Sequence, residues 1–377
     1  MIAIQNARII TVSHGVIENG AVLVGDDGRI AAVAPGRLDV PPGTQVVDAG
    51  ARTLTPGLVD ARSHLGLVNQ GLGWAGDDAA ETTDPNTAHV RALDGIYPFD
   101  DGMADARTGG VTTVHVVPRA VNVLAGEALA IKLRKTNVVD QMVLQRPTGI
   151  AVTLGEAPKA QYGGEKKLPA TRMGIAAVLR EALVKAQEYK PEKARDLKLE
   201  ALQPVLRREL PLWVTAHRAD DIVTAIRIAR EFDLKLVLVG ATEANLVADL
   251  IAEAGAPVAA GPSLAARGRQ EDREVGFHLP RALVAQGVKT AIVTGHPELP
   301  QQYLNIAAGL AVGESISEAD AWRAVTLTPA ELIGVADRVG SIEPGKDADL
   351  VLWDGDPLEL TTRVAWTMVE GKVVYEC

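Results

Sequence analysis

From Leu212 to Thr294 the chain alternates short aliphatic runs with stretches whose apolar residues recur at helical spacing. Strands are expected at Leu212–Thr215, Lys235–Val239, Pro257–Ala260 and Lys289–Thr294. Helices are expected between them, at Asp221–Phe232, at Glu243–Ala254 and near Arg281–Gln286. A tight hairpin has no room for a helix between its strands, so this rhythm implies parallel strands joined by helical crossovers. Upstream, Gly110–Val114 begins a β-branched strand and Thr171–Glu188 is an amphipathic helix. A series of such units over roughly 250 residues fits a closed (β/α)8 TIM barrel better than an open sheet. Aromatic residues make up only 3% of the 377. The core must therefore be aliphatic, which suits strands covered on both faces.

The two ends of the chain read differently. Ile2–Leu54 has strand composition broken by turns, with Asp26-Asp27-Gly28 as a hairpin signal. Gly340–Cys377 is similar: DADLVLWD is one strand, and Val364–Tyr375 supplies two more around Glu370-Gly371. The expected fold class is α/β. The TIM barrel would occupy residues 55–339, and residues 1–54 with 340–377 would make a small, composite, β-sandwich-like domain. Gly66–Asp101, rich in Gly, Asp, Asn and Thr, is expected as a long loop on the first barrel strand. The run from Arg180 to Glu200 is expected to be a charged helix pair with a solvated outer face.

A net charge of −10 argues against binding to nucleic acid or to an anionic membrane surface. No apolar stretch is long enough to span a bilayer. The N-terminal MIAIQNARIITVSHG lacks the basic and long apolar regions of an export signal, so the expected location is the cytoplasm. The sole cysteine, Cys377, permits neither an internal disulfide nor a cysteine zinc cluster. Gly163-Gly164 lacks the strand–loop–helix context of a phosphate loop.

In such a barrel, chemistry sits where strands end. PGLVDARSH, from Pro56 to His64, reads as a buried strand that delivers Arg62 and His64 to the same place, since residues two apart share a face. Two histidines there would make half a metal site, but a guanidinium has no lone pair to donate. The other strand-end candidates are His115, Thr215, His217, Gly240, Gly295 and His296.

These motifs, taken with GVTTVHVVP from Gly110, NVLAGEALAIKL from Asn122, LGEAPK from Leu154 and TAHRADDI from Thr215, resemble the amidohydrolase superfamily, in its imidazolonepropionase-like branch. LVLVGATEA from Leu236 and TLTPAELIGVADRVGSIEPGKDADLVLWDGDP from Thr326 extend the resemblance over nearly the whole chain. It implies a (β/α)8 barrel holding one or two divalent metals, usually zinc, that activate water against an amide, lactam or similar C–N bond. It further implies ligands from a His-x-His pair, a Lys or Glu on the fourth strand, one His each on the fifth and sixth, and an Asp on the eighth. At those positions this sequence has Arg62 and His64, Ala151, Thr215 (with His217 two residues on), Gly240 and Gly295. A catalytic zinc site uses about three protein ligands plus water.

No metal or other cofactor is therefore expected. The leading expectation is a protein that has lost metal-dependent hydrolysis and binds a small anionic molecule, with Arg62, His64, His217 and His296 as the candidate ligand-binding residues. The small replacements suggest a roomy, polar cavity. Two roles are open for Arg62: an internal salt bridge with Asp60 or Glu127, or a bidentate grip on a carboxylate or phosphate. One alternative is a working hydrolase with a rebuilt site of His64, His217 and an acid from Asp77, Asp78 or Glu81, for which zinc would be the cofactor. The other is a structural partner of an active paralogue. Homo-oligomerisation is left open.

Overall fold

The computed structural model describes residues 1–192 and 194–377. Eight strands form a nearly closed barrel sheet: β1 (Leu58–Ser63), β2 (Val111–Val116), β3 (Leu124–Lys132), β4 (Val143–Thr153), β5 (Leu212–Ala216), β6 (Leu236–Gly240), β7 (Val258–Ala260) and β8 (Thr290–Ile292). They are hydrogen-bonded in chain order from β1 to β8. The seam between β8 and β1 has no ladder. It is tied instead by Gly295 N–H to the Arg62 carbonyl (3.2 Å) and His64 N–H to the His296 carbonyl (2.9 Å). The architecture is that of a TIM-barrel-like α/β fold.

One strand departs from the expected uniform parallel barrel. β3 runs antiparallel to both β2 and β4. The link 117–123 is too short for a helical crossover, so the chain must turn back beside β2. The remaining crossovers are helical, notably Arg172–Gln187 with Leu197–Leu206 before β5, Ala219–Glu231 before β6, and His278–Ala285 before β8. The first two of these helices contain most of the charged run from Arg180 to Glu200, in which Lys193 lies outside the described residues. The segment expected as a long loop after β1 holds two short 3-10 turns, Gly73–Gly76 and Ala92–Gly95. Among the described residues, no helix is long and apolar enough to cross a membrane.

Alternation along the strands separates two cores. Val214, Leu238 and Val258 pack outward under the helices. Val59, Ala61, Trp213, Val237, Val239, Ala259 and Ala291 fill the barrel interior. Trp213 plugs the floor, its Nε1–H donating to the Thr148 carbonyl at 3.2 Å. Strands from both chain ends join in a second eight-stranded sheet, in which Thr53–Pro56 pairs with Leu350–Trp353. Gly57 alone separates that sheet from β1. A Cβ at Gly57 would lie 2.1 Å from Thr112 Oγ1, so only glycine passes through this junction.

Candidate functional site at the barrel mouth

A cavity of about 350 Å³ opens at the C-terminal ends of the barrel strands. Arg62 reaches it from β1, Arg119 from the loop after β2, and Thr153 from β4. Thr215 comes from β5 and His217 from just beyond its end, Arg269, Glu271 and Asp272 from the segment after β7, and Glu298 from the turn after β8. A larger hollow, about 690 Å³, lies at the opposite end beside Thr148, Leu236, Pro257 and Lys289. That is the face of such barrels that serves stability rather than chemistry.

Of the four expected ligand-binding residues, Arg62 and His217 line the mouth cavity and His64 and His296 do not. The ladder is irregular between Asp60 and Ser63, which breaks the simple two-residue register. His64 donates from Nδ1 to the Val117 carbonyl (2.7 Å), leaving its buried Nε2 without a partner. Burial, then the charge of Arg62, holds its imidazole well below the usual histidine range, so it is neutral. His296 is also buried, and neither of its ring nitrogens has a partner.

Neither acid expected to neutralise Arg62 does so. Asp60 accepts from Gln301 Nε2 (2.9 Å), the Thr294 hydroxyl, Thr294 N–H and the backbone N–H of Arg62 itself. Glu127 stands on β3 and is not among the residues lining the cavity. Among the described residues the Arg62 guanidinium has no hydrogen bond and no ion pair, so the salt-bridge expectation is overturned. Burial pulls its pKa down, while Glu298 and then Asp60 oppose that pull.

The strand ends at Gly240 and Gly295 are covered by neighbouring side chains, contrary to the expectation of a roomy site. A Cβ at Gly295 would lie 2.6 Å from Arg62 Nη1, so the guanidinium occupies the room a side chain would need there. A Cβ at Gly240 would lie 2.6 Å from His217 Cε1, so the imidazole covers that position. Both glycines have positive φ (+58° and +76°), a conformation costly for other residues. Ala151 is buried against Val117, Ala125 and Ala128. Gly240→Ala should therefore lower stability by about 1–3 kcal/mol, and His217→Ala should recover part of the loss. Additive effects in a denaturant-melt double-mutant cycle would show that the ring does not fill this space.

His115, left without an assigned partner by sequence, bonds the Ala61 carbonyl (2.8 Å) and the Thr148 hydroxyl (2.7 Å) and packs 4.2 Å from the Trp213 ring. Burial pushes its pKa down to about 4. His217 is also lowered to about 4, by burial and then by Arg269 and Arg62. Between a free-chain value of about 6.5 and these folded values, the unfolded chain takes up protons that the fold refuses. Their contribution to stability should fall as pH drops through that window. Asp60, raised by burial to about 6, opposes the trend, because the fold gains its proton first. His64 and His296, also lowered by burial, act with His115 and His217, while Glu127, Asp221, Glu271 and Asp349, raised by burial, act with Asp60. His217→Gln isolates one histidine's share: its denaturant midpoint should fall less between pH 7 and pH 5 than the wild type's, and an equal fall would contradict this assignment.

Asp77, Asp78 and Glu81 do not line the cavity. Asp77 pairs with Arg119 at 2.8 Å, and Glu81 bonds Thr83. Sequence reasoning missed Thr153, Arg119, Arg269 and Glu298. The available signal was position: each follows or ends a barrel strand, and Arg269 lies in the charged run RGRQEDRE. Among the described residues, no group of three or more His, Cys, Asp or Glu side chains is arranged to hold a metal ion.

The sequence profile of the amidohydrolase family matches residues 53–374. An amidohydrolase from Thermotoga maritima MSB8 has a similar structure, with a TM-score of 0.96 and 37% identity over the full length of both chains. Amidohydrolase tasK of Hapsidospora irregularis is 28% identical over 90% of this chain, which spans only 38% of that protein. An imidazolonepropionase of Mesorhizobium japonicum is 27% identical, over 98% of this chain and 96% of its own length.

Proposed function

This chain belongs to the amidohydrolase family, and on that premise we propose that it binds a small anionic molecule at the barrel mouth and does not perform metal-dependent C–N bond hydrolysis. The observation that carries the reading is the Arg62 guanidinium, which faces the cavity with no protein acceptor among the described residues. A half-buried cation left in that state is stabilised by an anion brought from solution.

The family's metal does not fit the residues present. Zinc in a catalytic site takes about three nitrogen, sulfur or oxygen donors and an open position. Arg62, Ala151, Gly240 and Gly295 offer no such donor, and Thr215 offers only a hydroxyl. His64 has one free nitrogen, but it lies beside a fixed positive charge. His217 leans over Gly240. The reading of a rebuilt hydrolase loses support because none of its three candidate acids lines the cavity.

The test uses the purified full chain, incubated with zinc, dialysed and analysed for metal, then titrated calorimetrically with short carboxylates. Loss of zinc on dialysis together with carboxylate binding is the expected result. Stoichiometric zinc that survives dialysis, or chelator-sensitive turnover of lactams or acyl-amino amides, would overturn it.

A further inference from the structure

We propose that the mouth cavity is built for a zwitterion, a small molecule carrying both a carboxylate and an ammonium group, such as a free α-amino acid with an apolar side chain. This rests on the anion-binding reading above and narrows it. Six charged side chains line the cavity: Arg62, Arg119, Arg269, Glu271, Asp272 and Glu298. Four of them are already neutralised. Arg119 pairs with Asp77 at 2.8 Å, Arg269 grips Asp272 in a two-point bond (2.8 and 3.0 Å), and Glu271 pairs with Arg172 at 2.6 Å.

One cation and one anion remain. Neither Arg62 nor Glu298 makes a side-chain hydrogen bond or ion pair with any described residue. Glu298 is nonetheless the acid whose field acts most strongly on Arg62. The two charges face one cavity, near enough to feel each other and too far apart to close a bridge. A ligand that places its carboxylate on the guanidinium fork and its ammonium on Glu298 satisfies both. A simple anion satisfies only the first and brings its charge toward a like charge.

The uncharged lining completes the recognition. Thr153 is buried, and its hydroxyl has no partner. It ends β4 and lines the same cavity as Arg62, an unused hydroxyl open to a ligand's polar groups. Leu154, Ala157, Ala265, Ala266 and Val275 supply an apolar wall. About 350 Å³ lies at the lower end of small-ligand pockets and suits a single amino acid better than a long peptide.

The test is titration calorimetry on the full chain with matched pairs: glycine and acetate, L-valine and isovalerate, L-leucine and isocaproate, with isoamylamine as the amine lacking a carboxylate. At least one amino acid is expected to bind roughly 10-fold or more tightly than its des-amino partner, and isoamylamine is expected not to bind. Glu298→Gln, at an exposed position, should keep the wild-type melting temperature, weaken the amino acid, strengthen the des-amino acid whose like-charge repulsion it relieves, and so remove the preference. If the des-amino acids bind as well as the amino acids and Glu298→Gln changes nothing, the zwitterion assignment is overturned while the anion site stands. If no member of either series binds, both readings fall.

Discussion

Lys132→Ala is expected to lower the free energy of unfolding by about 3–5 kcal/mol, because it strands the Asp349 carboxylate in the interior and leaves Asp347 to Arg338. The Lys132 side chain, at the end of β3, is fully buried. Its ammonium lies 2.5 Å from Asp347 and 3.1 Å from Asp349, whose side chains are each only 2% exposed, and 3.4 Å from Glu370. Arg338 reaches Asp347 at 2.7 Å, and Arg134 reaches Glu370 at 2.6 Å. The network ties the barrel to the sheet built from the chain ends, since Asp349 directly precedes the strand Leu350–Trp353. Burial raises the pKa of Asp349, and Lys132 is the largest influence pulling it back. Without the ammonium that carboxyl should protonate more readily, so the deficit of the variant should shrink as pH falls. Lys132→Met, which restores the stem but not the charge, should remain nearly as unstable. A loss below about 1 kcal/mol in denaturant melts, within the range of an exposed pair, would mean that Arg134 and Arg338 neutralise the cluster unaided.

Arg62→Gln is expected to weaken carboxylate binding by about 100-fold or more while leaving the melting temperature unchanged or higher. Removing one partner of a two-point charge-assisted bond in a partly desolvated site costs about 3 kcal/mol or more, which is about 100-fold in affinity. The fold, by contrast, draws no bond from this guanidinium and bears part of its desolvation, as its lowered pKa indicates. Function and stability should therefore separate at this position. Calorimetry and thermal melts on the same preparation read both quantities. A variant that melts several degrees lower would reveal a protein partner for Arg62, and one with unchanged carboxylate affinity would remove Arg62 from the site.

The course of the barrel was legible because hydrophobic period and turn chemistry are local. The runs at Leu212, Leu236 and Pro257 each became a parallel strand, and the hairpin signal at Asp26-Asp27-Gly28 lies between two antiparallel strands. The reversal of β3 was not legible. Its residues, LAGEALAIK, are as aliphatic as those of a parallel strand, and direction is set by the length of the link before it. At the site, Arg62 and His217 were legible from strand-end spacing. His64 was assigned to the cavity by the same spacing and does not line it, because β1 is irregular at that point.

Residue identity alone determined which donors stand at the strand ends, since whether a side chain has a lone pair to offer does not depend on the fold. Two matters were decided only by the tertiary structure. One is what fills the strand ends: Arg62 lies against Gly295 and His217 over Gly240, the first of them a contact between opposite ends of the barrel sequence. The other is which charges were left over. Electrostatic pairing depends on distances of a few ångströms between separate loops, as between Arg172 and Glu271 or Arg119 and Asp77, and no spacing along the chain encodes those distances.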